Sequence, residues 1–374
     1  MVLSTTLQST LLRHQRSIDT ALRTTLQTVA DASGVAALDA YYGQMQYHLG
    51  WVDAELTPTR SNPGKLLRPT LLLLAYEAVG AWGLTETTGI ENNSYLQRAL
   101  AAAVSVELTH NFTLIHDDIE DGDTERRHRS TMWKIWGVPQ AINTGDGMFG
   151  LARYALWGVL EHGVEGDIAA RLGATLDRTV LEIAEGQYLD ISFEQRQDIS
   201  VSMYIDMIGR KTAALMRCSA EMGAMIGTRD ASTIQRLASF GQAIGIAFQV
   251  RDDLLGVWAT SAELGKTQAG DVYRRKKSLP ILHALENANA EDLQTLQTIY
   301  QQEAPVTSAQ VEQVLAIFAR TQTQAYCRTF LQQHCDAAYE ALNNVPYVNS
   351  PVSTRAINDM RTMVQFIEAA AHSF

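Results

Sequence analysis

The chain has 374 residues, 46% of them hydrophobic and 19% charged, with a formal net charge of −11. That is ample length for a large buried core, and the acidic balance excludes non-specific nucleic-acid binding as a leading function. Its three cysteines, Cys218, Cys327 and Cys335, lack metal-site spacing, and their odd number argues against a disulfide framework, which points to a reducing, cytoplasmic setting.

The opening stretch MVLSTTLQSTLLRHQRS has no apolar core of signal-peptide length, and apolar runs such as 71–74 are too short to span a bilayer. Residues 1–50 carry Leu and Ile at helical spacing and predict amphipathic helix. Pro58, Pro63 and Gly64 mark a loop in TPTRSNPGKLLRP. Pro69 suits the first turn of the next helix, predicted over 70–81 and apolar nearly all round, hence buried. Lys65 and Arg68 stand at its mouth. Two cations beside a helix N-terminus make a plausible anion site; a solvated basic loop is the alternative.

Residues 95–116 predict a long, central helix with few charges (Arg98 and Glu107). It leads into LIHDDIEDGDTERR (114–127), where Asp117, Asp118, Glu120, Asp121 and Asp123 fall within seven residues, followed by Arg126 and Arg127. Asp117 and Asp121 are one helical turn apart, so their carboxylates project from one face. Like charges at that spacing repel. A divalent cation between them reverses the sign, and hard oxygen donors suit Mg²⁺. His110 lies two turns earlier on about the same stripe.

Residues 130–136 and a turn at 137–147 lead to a helix over 148–160. Another, 171–190, ends in EGQYLD (185–190), with Glu182, Glu185, Gln187 and Asp190 on or near an apolar stripe. A helix over 200–227 carries Lys211 and Thr212 near its start, among small residues. In the next, 233–255, Gly241, Gly245, Gln249 and Asp253 recur on one face; the glycines permit close helix approach or leave room for a ligand. It ends in FQVRDD (248–253), a second acidic pair closing an apolar helix. Two such pairs can face each other across a cavity and hold a metal cluster. In the loop GKTQAGDVYRRKKSLP (265–280), Arg274, Arg275, Lys276 and Lys277 suggest an anion partner, or else a solvated charge run. Residues 281–374 read as helices broken near 303–305 and 344–351. No convincing strand run, repeat or long linker is present. The expectation is an all-α chain, a single domain over 1–374 with about a dozen helices.

In order and approximate spacing, GKLLRP (64–69), HNFTLIHDDIEDGDTERR (110–127), EGQYLD, KT (211–212), FQVRDD and GKTQAGDVYRRKKSLP resemble the motifs of the trans-isoprenyl diphosphate synthases, or polyprenyl synthetase family. The resemblance covers roughly residues 60–285 and is most like a geranylgeranyl diphosphate synthase. It implies an isoprenoid-synthase-type helical bundle around a central cavity, a homodimer, and condensation of isopentenyl diphosphate with an allylic diphosphate (dimethylallyl, geranyl or farnesyl). It also implies about three Mg²⁺ per site, with Asp117, Asp118, Asp121 and Asp252 as ligands. Arg126, Lys211 and Lys266 match the grip on the allylic diphosphate, with Lys276 as a further substrate-binding cation. Lys65, Arg68, His110 and Arg127 match the isopentenyl diphosphate site. Thr212 and Gln249 match polar groups that face the carbocation. The chemistry agrees: an allylic C–O bond ionises once its leaving diphosphate is neutralised. His116 and His128 read as structural or loop residues. The second motif departs from the family's DDxxD: it is DDLLG, with Gly256 where the last Asp is expected. Asp271 and Glu263 are acids that could compensate.

Product length is expected to be set beneath the first Asp motif by Phe112 and Thr113, five and four residues before Asp117. At about 1.5 Å per residue Phe112 lies about 7.5 Å down. One aromatic at that position, before an uninserted DDxxD, resembles the synthases of C20 product, so C20 is expected, with C15 next. Tyr76 or Met148 are alternative determinants. Three rival functions remain at this point. A class I terpene cyclase needs no isopentenyl diphosphate site. A non-catalytic regulatory subunit is expected to have lost the first Asp motif. A helical scaffold leaves the two acidic clusters unexplained.

Overall fold

Leu7, Leu11, His14, Ile18, Leu22 and Leu26 are all buried along one face of α1 (Thr5–Ser33), the stripe that a helix buries when apolar residues recur every three or four positions. The computed structural model describes residues 5–59, 64–80, 94–259 and 269–372. Pro63, Ala81, Glu263 and Lys266 lie outside the described residues. The helix expected over 1–50 breaks at Gly34, whose φ is +63°, and resumes as α2 (Asp39–His48). α3 (Leu67–Val79) holds Pro69 in its first turn, and residues 69–78 are buried without interruption, as its all-round apolar sequence requires.

α4 (Gln97–Glu120) carries the first acidic motif in its last turn. There follow α5 (Met132–Trp136), α6 (Val138–Leu156), α7 (Gly166–Gln195), α8 (Val201–Ile208), α9 (Ala214–Gly227) and α10 (Ala231–Trp258). α4 packs against α6 and α3, and α9 against α3 and α10. The C-terminal helix Thr323–Asn343 backs α10, and Pro351–Glu368 covers α3 and α1. The fold is all-α. Its described strands are the two-residue pair β1 (Glu125–Arg126) and β2 (Arg129–Ser130). No helix among the described residues is long and apolar enough to cross a membrane, and the three cysteines are free and buried.

Two expectations need correction. The turn expected at 137–147 is the first half of α6. Two of its glycines serve packing: a Cβ at Gly145 would overlap the His116 ring, and one at Gly147 would overlap the Tyr41 hydroxyl. The helix expected over 200–227 is interrupted by a π turn, Gly209–Ala213, which contains Lys211 and Thr212. A backbone that bonds i→i+5 for one turn is a device found at functional sites.

Helix contacts are close where glycines meet backbone. A Cβ at Gly223 of α9 would overlap the Leu72 carbonyl of α3, and one at Gly241 of α10 would lie 2.5 Å from Met216 O. A buried ion network ties α1 and the last helix to α3. Arg13 Nη1 is 2.7 Å from Glu77 Oε2, and Arg13 Nη2 is 2.8 Å from Asp359 Oδ2. His14 and the Tyr95 hydroxyl also reach the Glu77 carboxylate. Burial alone would raise the Glu77 carboxyl, but His14, Arg13 and Tyr95 outweigh it and hold the group below its usual range.

Gly223→Ala is expected to lose about 1–3 kcal/mol, because the backbone it meets cannot rotate away. Gly150 of α6 has nothing within 4 Å of an added Cβ, so Gly150→Ala should instead gain up to about 1 kcal/mol from helix propensity. Urea unfolding of both variants measures the contrast.

Candidate active site

The acids at the end of α4 are held by cations from two other elements. Arg126 Nε donates to Asp118 Oδ1 at 2.6 Å, and its Nη2 to Asp117 Oδ2 at 3.4 Å. Lys211 Nζ, set by the π turn, lies 3.1 Å from Asp117 Oδ1 and 2.6 Å from Asp190 Oδ2 on α7. Gly186 of α7 admits this approach, since a Cβ there would overlap the Lys211 backbone. Asp118 is buried, and its carboxyl is pushed up to about 6, first by burial and further by the charge of Asp117, against the pull of Arg126. Asp121 is also pushed up to about 6 by lost hydration and by Asp117, but it is exposed at the rim, where water screens part of the effect.

The hairpin after the acids directs successive arginines to different places. Arg127 and His128, its two loop residues, have φ of +54° and +62° between the pairs Glu125↔Ser130 and Arg126↔Arg129, the pattern of a type I′ turn. Arg126 turns to the aspartates. Arg129 donates to the carbonyls of Tyr47 at 2.9 Å and Val52 at 2.6 Å. Arg127 lines a cavity of about 260 Å³ with Lys65, Arg68, His110, Glu107 and Gly64. Thr212, Met216, Gly245 and Phe248 complete this wall.

That cavity is electropositive. Burial draws the pKa of Lys65, Arg68 and Arg127 below their ordinary values. His110, 3.2 Å from Arg68 Nη1 through Nε2, is held well below the usual imidazole range by burial and by Arg68 and Arg127. It is therefore neutral at physiological pH. Opposing these cations is Glu107, whose carboxyl burial pushes up while Asn111, Arg127 and Arg68 restrain it. Three dehydrated cations around one acid suit a polyanion.

The second motif is more deeply set. Asp253 accepts from the Tyr204 hydroxyl at 2.5 Å, from Gln249 Nε2 at 3.2 Å and from the Leu279 amide at 3.3 Å. Lys276 Nζ stands 3.6 Å from its other oxygen. Asp252 pairs with its neighbour Arg251 at 3.3 Å, and burial raises the carboxyls of both Asp252 and Asp253. Thr212 Oγ1 reaches Gln249 Oε1 at 3.3 Å. Asp190, paired with Lys211, also acts through its charge on Asp121 and on Lys276.

The structure thus gathers Lys65, Arg68, His110 and Arg127 at one cavity, and Asp117, Asp118, Arg126 and Lys211 at another cluster. The four cations of the run 274–277 are directed to different partners. Arg274 pairs with Asp271, and Arg275 donates to the Ala304 carbonyl. Lys277 donates to the carbonyls of Phe193 and Glu194, leaving Lys276 facing the acids. Phe112, five residues before Asp117 on α4, packs against Phe149 of α6, ring centroids 5.1 Å apart, and edge-on against the His116 ring. Sequence reasoning missed Phe149, Tyr204 and the cavity role of Glu107; of these, Glu107 alone had left a signal, as an acid in a nearly uncharged helix.

A polyprenyl synthetase family model matches residues 50–318. The chain belongs to the polyprenyl synthetase family. It is 36% identical over 271 residues to the geranylgeranyl diphosphate synthase of Mycobacterium tuberculosis, covering 72% of each chain. It is 41% identical over 237 residues to a (2E,6E)-farnesyl diphosphate synthase of Mycobacterium bovis, covering 63% of this chain and 61% of that one. A polyprenyl synthetase of Streptomyces coelicolor superposes with a TM-score of 0.81 at 31% identity, covering 96% of this chain and 98% of the other. The geranylgeranyl pyrophosphate synthetase of Pyrococcus horikoshii gives 0.81 at 29% identity, covering 97% and 98%. The protein is accordingly a prenyl-transferring enzyme.

Polyprenyl synthetases imply a divalent metal. Among the described residues no group of three or more His, Cys, Asp or Glu side chains is arranged to hold an ion alone. Mg²⁺ does not require one, since it keeps several waters and takes one or two carboxylates together with substrate phosphates. The all-oxygen donor set of Asp117, Asp118, Asp121 and Asp252 fits it on those terms. With the folded-state carboxyl of Asp118 at about 6, above its ordinary value of 3.8, protons compete with the cation below that pH. The same shift means that the metal-free fold loses this stabilising term as pH rises through about 6. The rise in melting temperature on adding Mg²⁺ and pyrophosphate is therefore expected to grow from pH 5.5 to pH 7.5, as thermal scans across that range will show.

Proposed function

We propose that this enzyme is a Mg²⁺-dependent synthase that condenses isopentenyl diphosphate with an allylic diphosphate to an all-trans prenyl diphosphate, geranylgeranyl diphosphate (C20) above all. The observation that carries the reading is the pairing of an acidic cluster, fit for metal and diphosphate, with a separate cationic cavity. Two diphosphates need two such places.

In this reading Asp117, Asp118, Asp121 and Asp252 would hold Mg²⁺, which would supply the positive charge that a leaving diphosphate needs. Arg126, Lys211 and Lys276, with Lys266 by family resemblance, hold that diphosphate. Lys65, Arg68, Arg127 and neutral His110 hold isopentenyl diphosphate, aligning its alkene with the allylic carbon. The allylic C–O bond breaks, the alkene forms the new C–C bond, and the resulting cation loses a proton to the released diphosphate. Thr212 and Gln249 offer oxygen dipoles toward the positive charge.

Phe112 supports a C20 floor. The second ring of Phe149 beside it makes that floor shallower and favours C15 as the second reading. Exposed Val138, Ile142 and Tyr154 on α6, with Leu181, Tyr188 and Ile191 on the adjoining α7, support a homodimer through that face. The reading also takes residues 1–374 as one working domain in a cytoplasmic setting, in keeping with the three free thiols.

The test gives purified protein isopentenyl diphosphate with dimethylallyl, geranyl or farnesyl diphosphate, with and without Mg²⁺, and sizes the dephosphorylated products. A metal-dependent ladder ending at C20 is expected. Hydrocarbon formed from the allylic substrate alone would replace the reading with a cyclase. Arg127→Ala should raise KM for isopentenyl diphosphate by about tenfold or more, because it removes a charge-assisted contact, with a smaller change for the allylic substrate. Phe112→Ala should shift the ladder at least one C5 unit longer; unchanged products would remove Phe112 as the floor.

A further inference from the structure

Gly256 stands where the second motif lacks its last carboxylate, and another residue's carboxylate fills the space. A Cβ at 256 would overlap Asp271 Oδ2 and lie 2.5 Å from Asp271 Cγ and 2.9 Å from Oδ1. Asp271 is carried by the short helix Gly270–Tyr273, which packs back against α10. It is only 5% exposed. Arg274 Nη2 donates to its Oδ1 at 2.7 Å, but the Arg274 side chain is 66% exposed and can leave for water at little cost. Lys276 lies in the shared field of Asp253, Asp271, Asp190 and Asp252, so Asp271 belongs to the second motif's electrostatic group.

Position 256 is one helical turn beyond Asp252 on the same face, the relation that Asp121 bears to Asp117 on α4. We propose that Asp271 supplies, from a separate segment, the carboxylate missing at 256, and that glycine at 256 is the condition for its entry. The inference rests on the synthase reading above. Glycine is a poor residue for a helix interior. A carboxylate that had merely been lost could be replaced by any good helix former, whereas glycine alone leaves the room that Asp271 occupies. Asp271 then acts as a positioning residue, completing the acidic face on which Asp252 is the principal metal ligand.

The test is calorimetric titration of inorganic pyrophosphate in the presence of Mg²⁺, with metal-free melting temperature as a control for folding. The variants are Asp271→Asn, Asp271→Ala, Gly256→Asp, the double Gly256→Asp/Asp271→Ala, and Asp252→Asn for reference. Asp271→Asn should weaken pyrophosphate binding by about tenfold or more, the loss expected of a group that orients a metal site, while the metal-free protein melts near the parent temperature. Gly256→Asp alone should bind as poorly or fail to fold, since two side chains then claim one space. The double variant should fold and recover to within about threefold of the parent, a carboxylate having returned to its place. Parent-like binding by Asp271→Asn, or a double variant no better than Asp271→Ala, overturns the inference while leaving the synthase reading intact. A parent that binds no pyrophosphate with Mg²⁺ overturns both.

Discussion

Carboxylates crowded at the ends of two buried helices, with a few cations set between them, are the constraint on which the site depends. Asp117 is shared between Arg126 and Lys211, and Lys211 in turn is shared with Asp190. Each contact joins a different element: the end of α4, the β1–β2 hairpin, α7 and the π turn. Half-buried charges of one sign are unfavourable unless opposite charges meet them, so these contacts tie the four elements together. A chain with net charge −11 has few cations to spare, and those at the site are each directed to a particular carboxylate or to the cavity.

Backbone conformation does the directing. In the hairpin two non-glycine residues in the left-handed region, Arg127 and His128, send Arg126, Arg127 and Arg129 to the aspartates, to the cavity and to α2. Leu66, also left-handed with φ of +49°, starts α3 beside Lys65 and Arg68. Such conformations cost energy for residues with a Cβ; of the seven non-glycine residues with positive φ among the described residues, three (Leu66, Arg127 and His128) fall at the two stretches that bring cations to the cavity.

Much of this was legible in the sequence because the evidence there is local. The apolar periodicity of α1, the unbroken apolar run of α3, and the two acidic pairs near the ends of α4 and α10 are properties of short windows. What escaped depended on partners distant in the chain. Gly145 and Gly147 look like turn residues until His116 and Tyr41 are seen to occupy the room they leave. The cations 274–277 look like one patch until four separate acceptors are found for them. Phe149 carries no signal beside Phe112 unless α6 is known to lie against α4. The pairing of Asp190 with Lys211 is likewise invisible without the fold.

The π turn has a consequence for helical phase. An α-helix advances about 100° per residue, so one extra residue in a turn rotates everything after it by about that angle relative to what precedes it. The π turn at Gly209–Ala213 therefore lets α8 and α9 take their bearings independently: Tyr204 is aimed at Asp253 before it, and Gly223 is aimed at Leu72 after it. Removing one residue from that turn would keep the composition nearly unchanged and every other segment intact, yet it would turn the packing face of α9 away from α3. The length of this segment, as much as its chemistry, is part of what the sequence encodes.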